Sequence, residues 1–347
     1  MTTSRSSRRA LAVLTASFIA VAALALAVDS SAKTQSSLDG CTGPYGWPVK
    51  PFDRAHPIRG GFGDPRTRFD EARTERALFR SSGSFSFHQG VDINAPDGEP
   101  VYAVSSGMVT RARGQRVTVA CGNGHAFQYW HIYERVHVGQ RVDPGKTLIG
   151  LILPKHEHVH LTELDRGAAV NPLAPGHLTP YRDTTVPQML RTTIRHRGSN
   201  VPPDSVHGNV VFVAEAIDTP SLSVRGRWEG SYPVSPVRIM WRIVRQGRTL
   251  VLERTARDVR RSLPKNDRFW DTFARGTYQN WPVFASRHYR YEEGRQLFKL
   301  TPRPFDTRTL PDGVYDVVVT AEDIAGHRDA ESLRFTVHNA PGWAGKA

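Results

Sequence analysis

Between Ile58 and Pro175 the sequence divides into short β-type runs separated by glycine turns, and little of it keeps helical periodicity. Residues 99–104, 116–120, 126–131 and 146–153 are such runs. Regular turn signals of this kind predict an all-β unit. A second β-rich region opens at residues 209–214. Its residues 238–244 read as one arm of a hairpin that turns at Gln246-Gly247 into residues 249–253.

At 347 residues the chain is long enough for two modest domains after processing. Arg5, Arg8 and Arg9 precede an apolar run from Leu11 to Val28, and small residues follow near Ser30-Ser31-Ala32. This is the pattern of a secretory leader over residues 1–32, and a membrane anchor is the competing reading. Cys41 ends a Leu-Asp-Gly-Cys run, but it lies well past the apolar run and Asp39 fits lipidation poorly. Residues 33–54 read as an irregular lead-in and 55–175 as the first β unit. Residues 176–206, with Pro180, Pro187, Pro202 and Pro203, read as a linker, and 207–340 as the second β unit.

The formal net charge is +13, and loss of the leader removes three arginines and Asp29, leaving +11. The basic residues are dispersed and no nucleic-acid motif accompanies them, so an anionic envelope polymer is the expected polyanion outside the cell. No nucleic-acid partner and no stable membrane insertion after leader cleavage are expected. Cys41 and Cys121 are the only cysteines; they can pair in an oxidising compartment or remain two thiols. They cannot build a cysteine zinc site.

The chemistry-bearing residues lie between His88 and His160. His158 and His160, at i and i+2, would point to one face of a strand. His88 and Asp92 are four apart across Gly90, where a turn into a strand can bring both to one point. Zinc takes imidazole and carboxylate ligands, with three from the protein at a catalytic centre. His131 follows an aromatic strand nearby. His156 competes with His160 for a place in the H-x-H pair, whereas His125 and His137 stand in turn-like contexts and read as solvent-facing.

The segment from His88-x-Gly90-x-Asp92-Ile93 through Gly98-x-Pro100-Val101 to Gly107-x-Val109 resembles the core signature of the lysostaphin/LytM family of zinc endopeptidases (peptidase family M23, duplicated hybrid motif fold). Residues 58–63, with their Gly-Phe-Gly turn, resemble the family's opening strand. Tyr129-Trp130-His131 resembles its Tyr-x-His strand, and His158-Val159-His160-Leu161-Thr162-Glu163 its H-x-H strand. The resemblance covers about residues 55 to 175. It implies a mainly β fold with an antiparallel, barrel-like catalytic sheet, one zinc ion on His88, Asp92 and His160, and His131 and His158 as the catalytic pair. The implied substrate is the peptide part of bacterial peptidoglycan, cut by a secreted or envelope-associated enzyme. Residues 310–323, turning at Ala325-Gly326 into residues 332–337, resemble the final strands of immunoglobulin-like and fibronectin-type domains.

Three features depart from the family pattern. Residues 151–157 replace its Ser/Thr/Gly-rich loop, the hairpin at Arg113 to Arg116 is short, and Asp64 to Phe87 reads as a long loop over the mouth of the site. Two other functions compete with this one: a non-catalytic wall-binding adaptor or regulator of the same fold, and an endopeptidase for Gly-rich proteins. The aromatics of residues 269–291 (Phe269, Trp270, Tyr278, Trp281, Tyr289) read as completing the second core, with a glycan-binding face as the alternative.

Overall fold

The computed structural model describes residues 43–69, 83–226, 229–230, 232–279 and 294–339. The expected leader, Cys41, Trp281 and Tyr289 lie outside these residues. No described helix is long and apolar enough to cross a membrane.

The protein is mainly β. Its first thirteen strands are β1 (Ile58–Gly60), β2 (Pro65–Phe69), β3 (Gly83–Phe87), β4 (Val91–Asn94), β5 (Pro100–Tyr102), β6 (Gly107–Ala112), β7 (Arg116–Gly122), β8 (His125–Trp130), β9 (Ile132–Glu134), β10 (Arg141–Val142), β11 (Leu148–Ile152), β12 (His158–Asp165) and β13 (Ala168–Val170). The main sheet runs β1-β4-β12-β8-β7-β6-β10, with β13 beside β12, and a smaller sheet runs β5-β11-β9. Every pairing is antiparallel.

Alternation along the central strands divides core from site. Val91 and Ile93 of β4, Val159 and Leu161 of β12, and Phe127 and Tyr129 of β8 are buried in one cluster with Val101, Ile149 and Ile152 of the smaller sheet. The residues between them, Asp92 on β4 and His158, His160 and Thr162 on β12, therefore take the other face. Tyr129 anchors the layer, since its buried hydroxyl accepts the Val104 amide at 2.8 Å.

The second unit comprises β14 (Gln188–His196), β15 (Ser199–Val201), β16 (Asn209–Ile217), β17 (Arg238–Arg245), β18 (Arg248–Asp258), β19 (Leu297–Lys299), β20 (Phe305–Asp306), β21 (Gly313–Glu322) and β22 (Arg328–Val337). They form two antiparallel sheets, β15-β14-β16-β19 with β20 beside β16, and β18-β17-β21-β22. Phe212, Ala214 and Ala216 of the first meet Trp241, Val317, Val319 and Phe335 of the second in one core. The hairpin expected at Gln246-Gly247 forms there, with both residues at positive φ (49° and 76°). Tyr315 donates its hydroxyl back to the Pro311 carbonyl, a corner that also occurs in immunoglobulin-type sandwiches. Phe269, Phe273 and Trp270 pack into this core.

Two stretches differ from the sequence reading. Part of 176–206, expected as a linker, is strand: β14 pairs along most of β16. Pro187 and Pro202 bracket β14 and β15 without entering them, so they mark the limits of two strands and not a structureless connection. The stretch 64–87, expected as a loop over the mouth, is built at both ends as the hairpin β2-β3. Its Phe85 and Phe87 pack into the second unit's core, and Val237 and Val259 of the second unit pack into the first. The alternation Phe85-Ser86-Phe87 was the available signal.

Candidate metal and catalytic site

β4 and β12 pair so that Asp92 stands directly opposite His160, with Trp130 of β8 on the far side of His160. His88 enters from the turn before β4. The turn can approach because residue 90 is glycine: a Cβ there would run into the Leu161 carbonyl and press on the His160 ring. The His88 Nδ1 donates to the Gly61 carbonyl at 2.8 Å, which leaves Nε2 as a lone pair facing the site. That Nε2 lies 2.7 Å from His160 Nδ1 and 3.1 Å from Asp92 Oδ1, and the last two are 2.9 Å apart. His160 Nε2 meets the Thr162 hydroxyl at 2.8 Å.

Three acceptor-type atoms therefore converge, and only a shared proton or a cation satisfies all of them at once. Two imidazole nitrogens and one carboxylate oxygen, each with its remaining polar atom held from behind, make the donor set of a catalytic zinc site. Arg66 supplies the support for Asp92, donating from Nη2 to Oδ2 at 2.8 Å so that Oδ1 faces the histidines. Burial would raise the Asp92 carboxyl, but the neighbouring His88, His158 and Arg66 outweigh it and hold it well below the usual carboxylate range. Burial lowers the His88 imidazole to about 4, with Arg66 adding to the effect.

His131 and His158 flank this trio. His158 donates from Nδ1 to the His156 carbonyl at 2.6 Å and turns Nε2 toward Asp92 Oδ1, 3.7 Å away. His131 follows β8 at φ 66°, a left-handed conformation uncommon outside glycine, and its ring lies 4.7 Å from that of His158. Burial pushes His131 down to about 3 and His158 well below its ordinary value, so both rings are neutral bases near pH 7.

All five residues predicted for the site are thus brought together. His156 is half-buried, and its ring stacks on His131 at 4.7 Å without reaching the trio. His125 sits at the start of β8, 3.4 Å from Asp165, and His137 is exposed.

Sequence reasoning missed the supporting residues. Arg66 stands in an unremarked Pro-Arg-Thr-Arg run. Asp97 accepts the backbone amides of Lys155, His156 and Glu157 and so shapes the departing loop, whose Lys155 and Glu157 have φ 69° and 46°. Arg59 donates to the same His156 carbonyl that orients His158.

The model of Peptidase family M23 matches residues 86–172, which include all five histidine and aspartate residues of the site. The peptidoglycan DD-endopeptidase ShyC of Vibrio cholerae is 31% identical over 106 residues, 28% of this chain and 24% of the relative's length. The chain thus matches about a quarter of that curated relative. Among solved structures, a zinc-containing peptidase from Vibrio cholerae aligns over 36% of this chain and 37% of its own at 24% identity, with a TM-score of 0.29. LytU aligns over 35% of this chain and 86% of its own at 26% identity, with a TM-score of 0.25.

Proposed function

We propose that the protein is a zinc metalloendopeptidase that hydrolyses stem or cross-link peptides of bacterial peptidoglycan. The observation that carries this reading is the convergence of His88 Nε2, Asp92 Oδ1 and His160 Nδ1 beside two neutral histidines. A zinc ion on those three atoms supplies the Lewis acidity that polarises an amide carbonyl and makes water nucleophilic near neutral pH. The chain's own residues do the rest. His158, its tautomer fixed by the His156 carbonyl, offers an Nε2 lone pair that accepts the proton of the attacking water. His131, across the ring contact, would steady the developing oxyanion through a ring N–H, and the proton that His158 takes from water would pass from His158 to the leaving amine.

The match to a peptidoglycan endopeptidase supports the substrate class. Secretion is supported by the leader-like N-terminus and by the disulfide-bonded Cys121, since such bonds persist in oxidising compartments. The basic charge suits retention at an anionic wall.

The deciding experiment measures zinc content and release of new amine termini from purified peptidoglycan, with Asp92→Ala beside the parent. One zinc per chain and cleavage by the parent alone is the expected result. Zinc without cleavage of peptidoglycan, but with cleavage of a Gly-rich polypeptide, would move the substrate to proteins. Neither zinc nor cleavage would leave a wall-binding adaptor.

A further inference from the structure

We propose that Asp183, Asp218 and Asp323 form a second metal site, which takes a hard divalent cation of the calcium class and pins the segment joining the two units to the second of them. Each of the three offers a carboxylate oxygen, and these oxygens lie within 4.8 Å of one another. The residues are 7%, 5% and 1% exposed. They come from three places in the chain: Asp183 from the connection before β14, Asp218 from the end of β16, and Asp323 from the end of β21.

The hydrogen bonds already made leave an opening for a cation. Asp183 Oδ1 accepts the Thr185 amide and hydroxyl and the Ser221 hydroxyl, at 3.2, 2.7 and 2.7 Å, and its Oδ2 faces the Tyr181 hydroxyl at 3.4 Å. Asp323 takes the His327 amide on Oδ1 at 2.9 Å and its ring Nδ1 on Oδ2 at 2.7 Å. Asp218 Oδ1 is buried with no hydrogen-bond partner at all. Among the described residues, the His327 contact is the single ion pair that any of the three makes. His327 therefore pairs with only one of the three buried carboxylates, and a divalent cation would balance the others. Burial and the charges of Asp183 and Asp323 push the Asp218 carboxyl well above the usual range, which is how a carboxyl behaves with no cation beside it.

The donor set selects the metal. Oxygen alone, with hydroxyls of Thr185 and Ser221 at hand, suits calcium, magnesium or manganese and not the borderline-soft ion of the His88 centre. The site also bears on that centre. Asp218 exchanges both backbone hydrogen bonds with Val234, at 2.8 and 2.7 Å, and the next amide, Ser235, donates to Asp64 Oδ1 at 2.7 Å. Asp64 in turn accepts the amides of Gly61 and His88, the two residues joined by the Nδ1 hydrogen bond.

Calcium titration of the zinc-loaded full chain, by calorimetry and by thermal melting, tests the site. One calcium per chain is expected, with a melting temperature several degrees higher at about 100 times Kd. Asp218→Asn should weaken calcium at least tenfold and leave the zinc content unchanged. A parent whose melting and heats do not respond to calcium overturns the proposal, and so does undiminished calcium binding by Asp218→Asn. If that variant does not fold, terbium luminescence of the parent, sensitised by Tyr181, decides instead. A signal displaced by calcium and not by zinc supports the site, and its absence overturns it.

Discussion

At the scale of single residues the site is a set of tautomers fixed from behind. The Gly61 carbonyl sets His88, the His156 carbonyl sets His158, and Arg66 sets the carboxylate between them. Replacing Arg66 by Ala frees Asp92 to rotate, so zinc affinity should fall about 10- to 100-fold, read by competition with a chromophoric chelator. His131→Ala and His158→Ala should keep one zinc per chain and lose about 10²- to 10⁴-fold in turnover. A loss of zinc in either variant would make that histidine a ligand instead. Acid should act on stability as well. His88 at about 4 and His131 at about 3 titrate below the ordinary value, so between roughly pH 6.5 and 4 the unfolded chain binds protons that the folded chain refuses. Metal-free protein should therefore lose stability as pH falls through that window, with urea midpoints dropping from pH 7 to pH 4.5. Level midpoints would mean that the rings are not held neutral. The histidines and Asp92 were legible because their chemistry is written in residue type and spacing. Arg66, Asp97 and Arg59 were not, because each acts through a contact between segments distant in sequence.

At the scale of elements, the strand β12 and the turn that leads to β4 do the positioning. Gly90 permits the turn to touch β12 at Leu161, and Gly90→Ala should push the two apart. The expected result is a protein that still melts cooperatively but binds zinc at least tenfold more weakly, by the same competition assay. Hairpins with Gly-containing turns were readable, as the β17-β18 turn at Gln246-Gly247 shows, because positive φ leaves a signature in the sequence. The strand β14 was not. Its alternation is weak, with exposed Leu190 and buried Thr192, and the prolines around it suggested an open chain. The β2-β3 hairpin left only the short Phe85-Ser86-Phe87 alternation as a signal, and those two phenylalanines are buried by the other unit.

At the scale of the molecule, the two units share structure at the back of the site. Arg257 of β18 is fully buried, donates to the Gly63 carbonyl at 2.9 Å and to Pro236 at 3.0 Å, and lies over the rings of Phe273 and Phe298. Gly63 in turn gives its amide to the His88 carbonyl at 2.8 Å. A chain cut before β16 would expose Phe85 and Phe87 and release both Gly63 and Asp64. It should aggregate or melt well below the full chain, and it should hold zinc poorly. A soluble fragment with full zinc affinity would show that the first unit stands alone. The sequence could not announce this dependence, since an arginine in a strand reads as a surface residue until the fold encloses it.

The clasp that Arg257 and Ser235 place on the Gly61-to-Asp64 turn also imposes an order on the molecule's life. The residues that hold the turn, Ser235 and Arg257, are synthesised 171 and 194 positions after their partners in it. A polypeptide still being made has its histidines but lacks the brace that aims them. If the proposed activity holds, competence to cut arrives only with the second half of the chain.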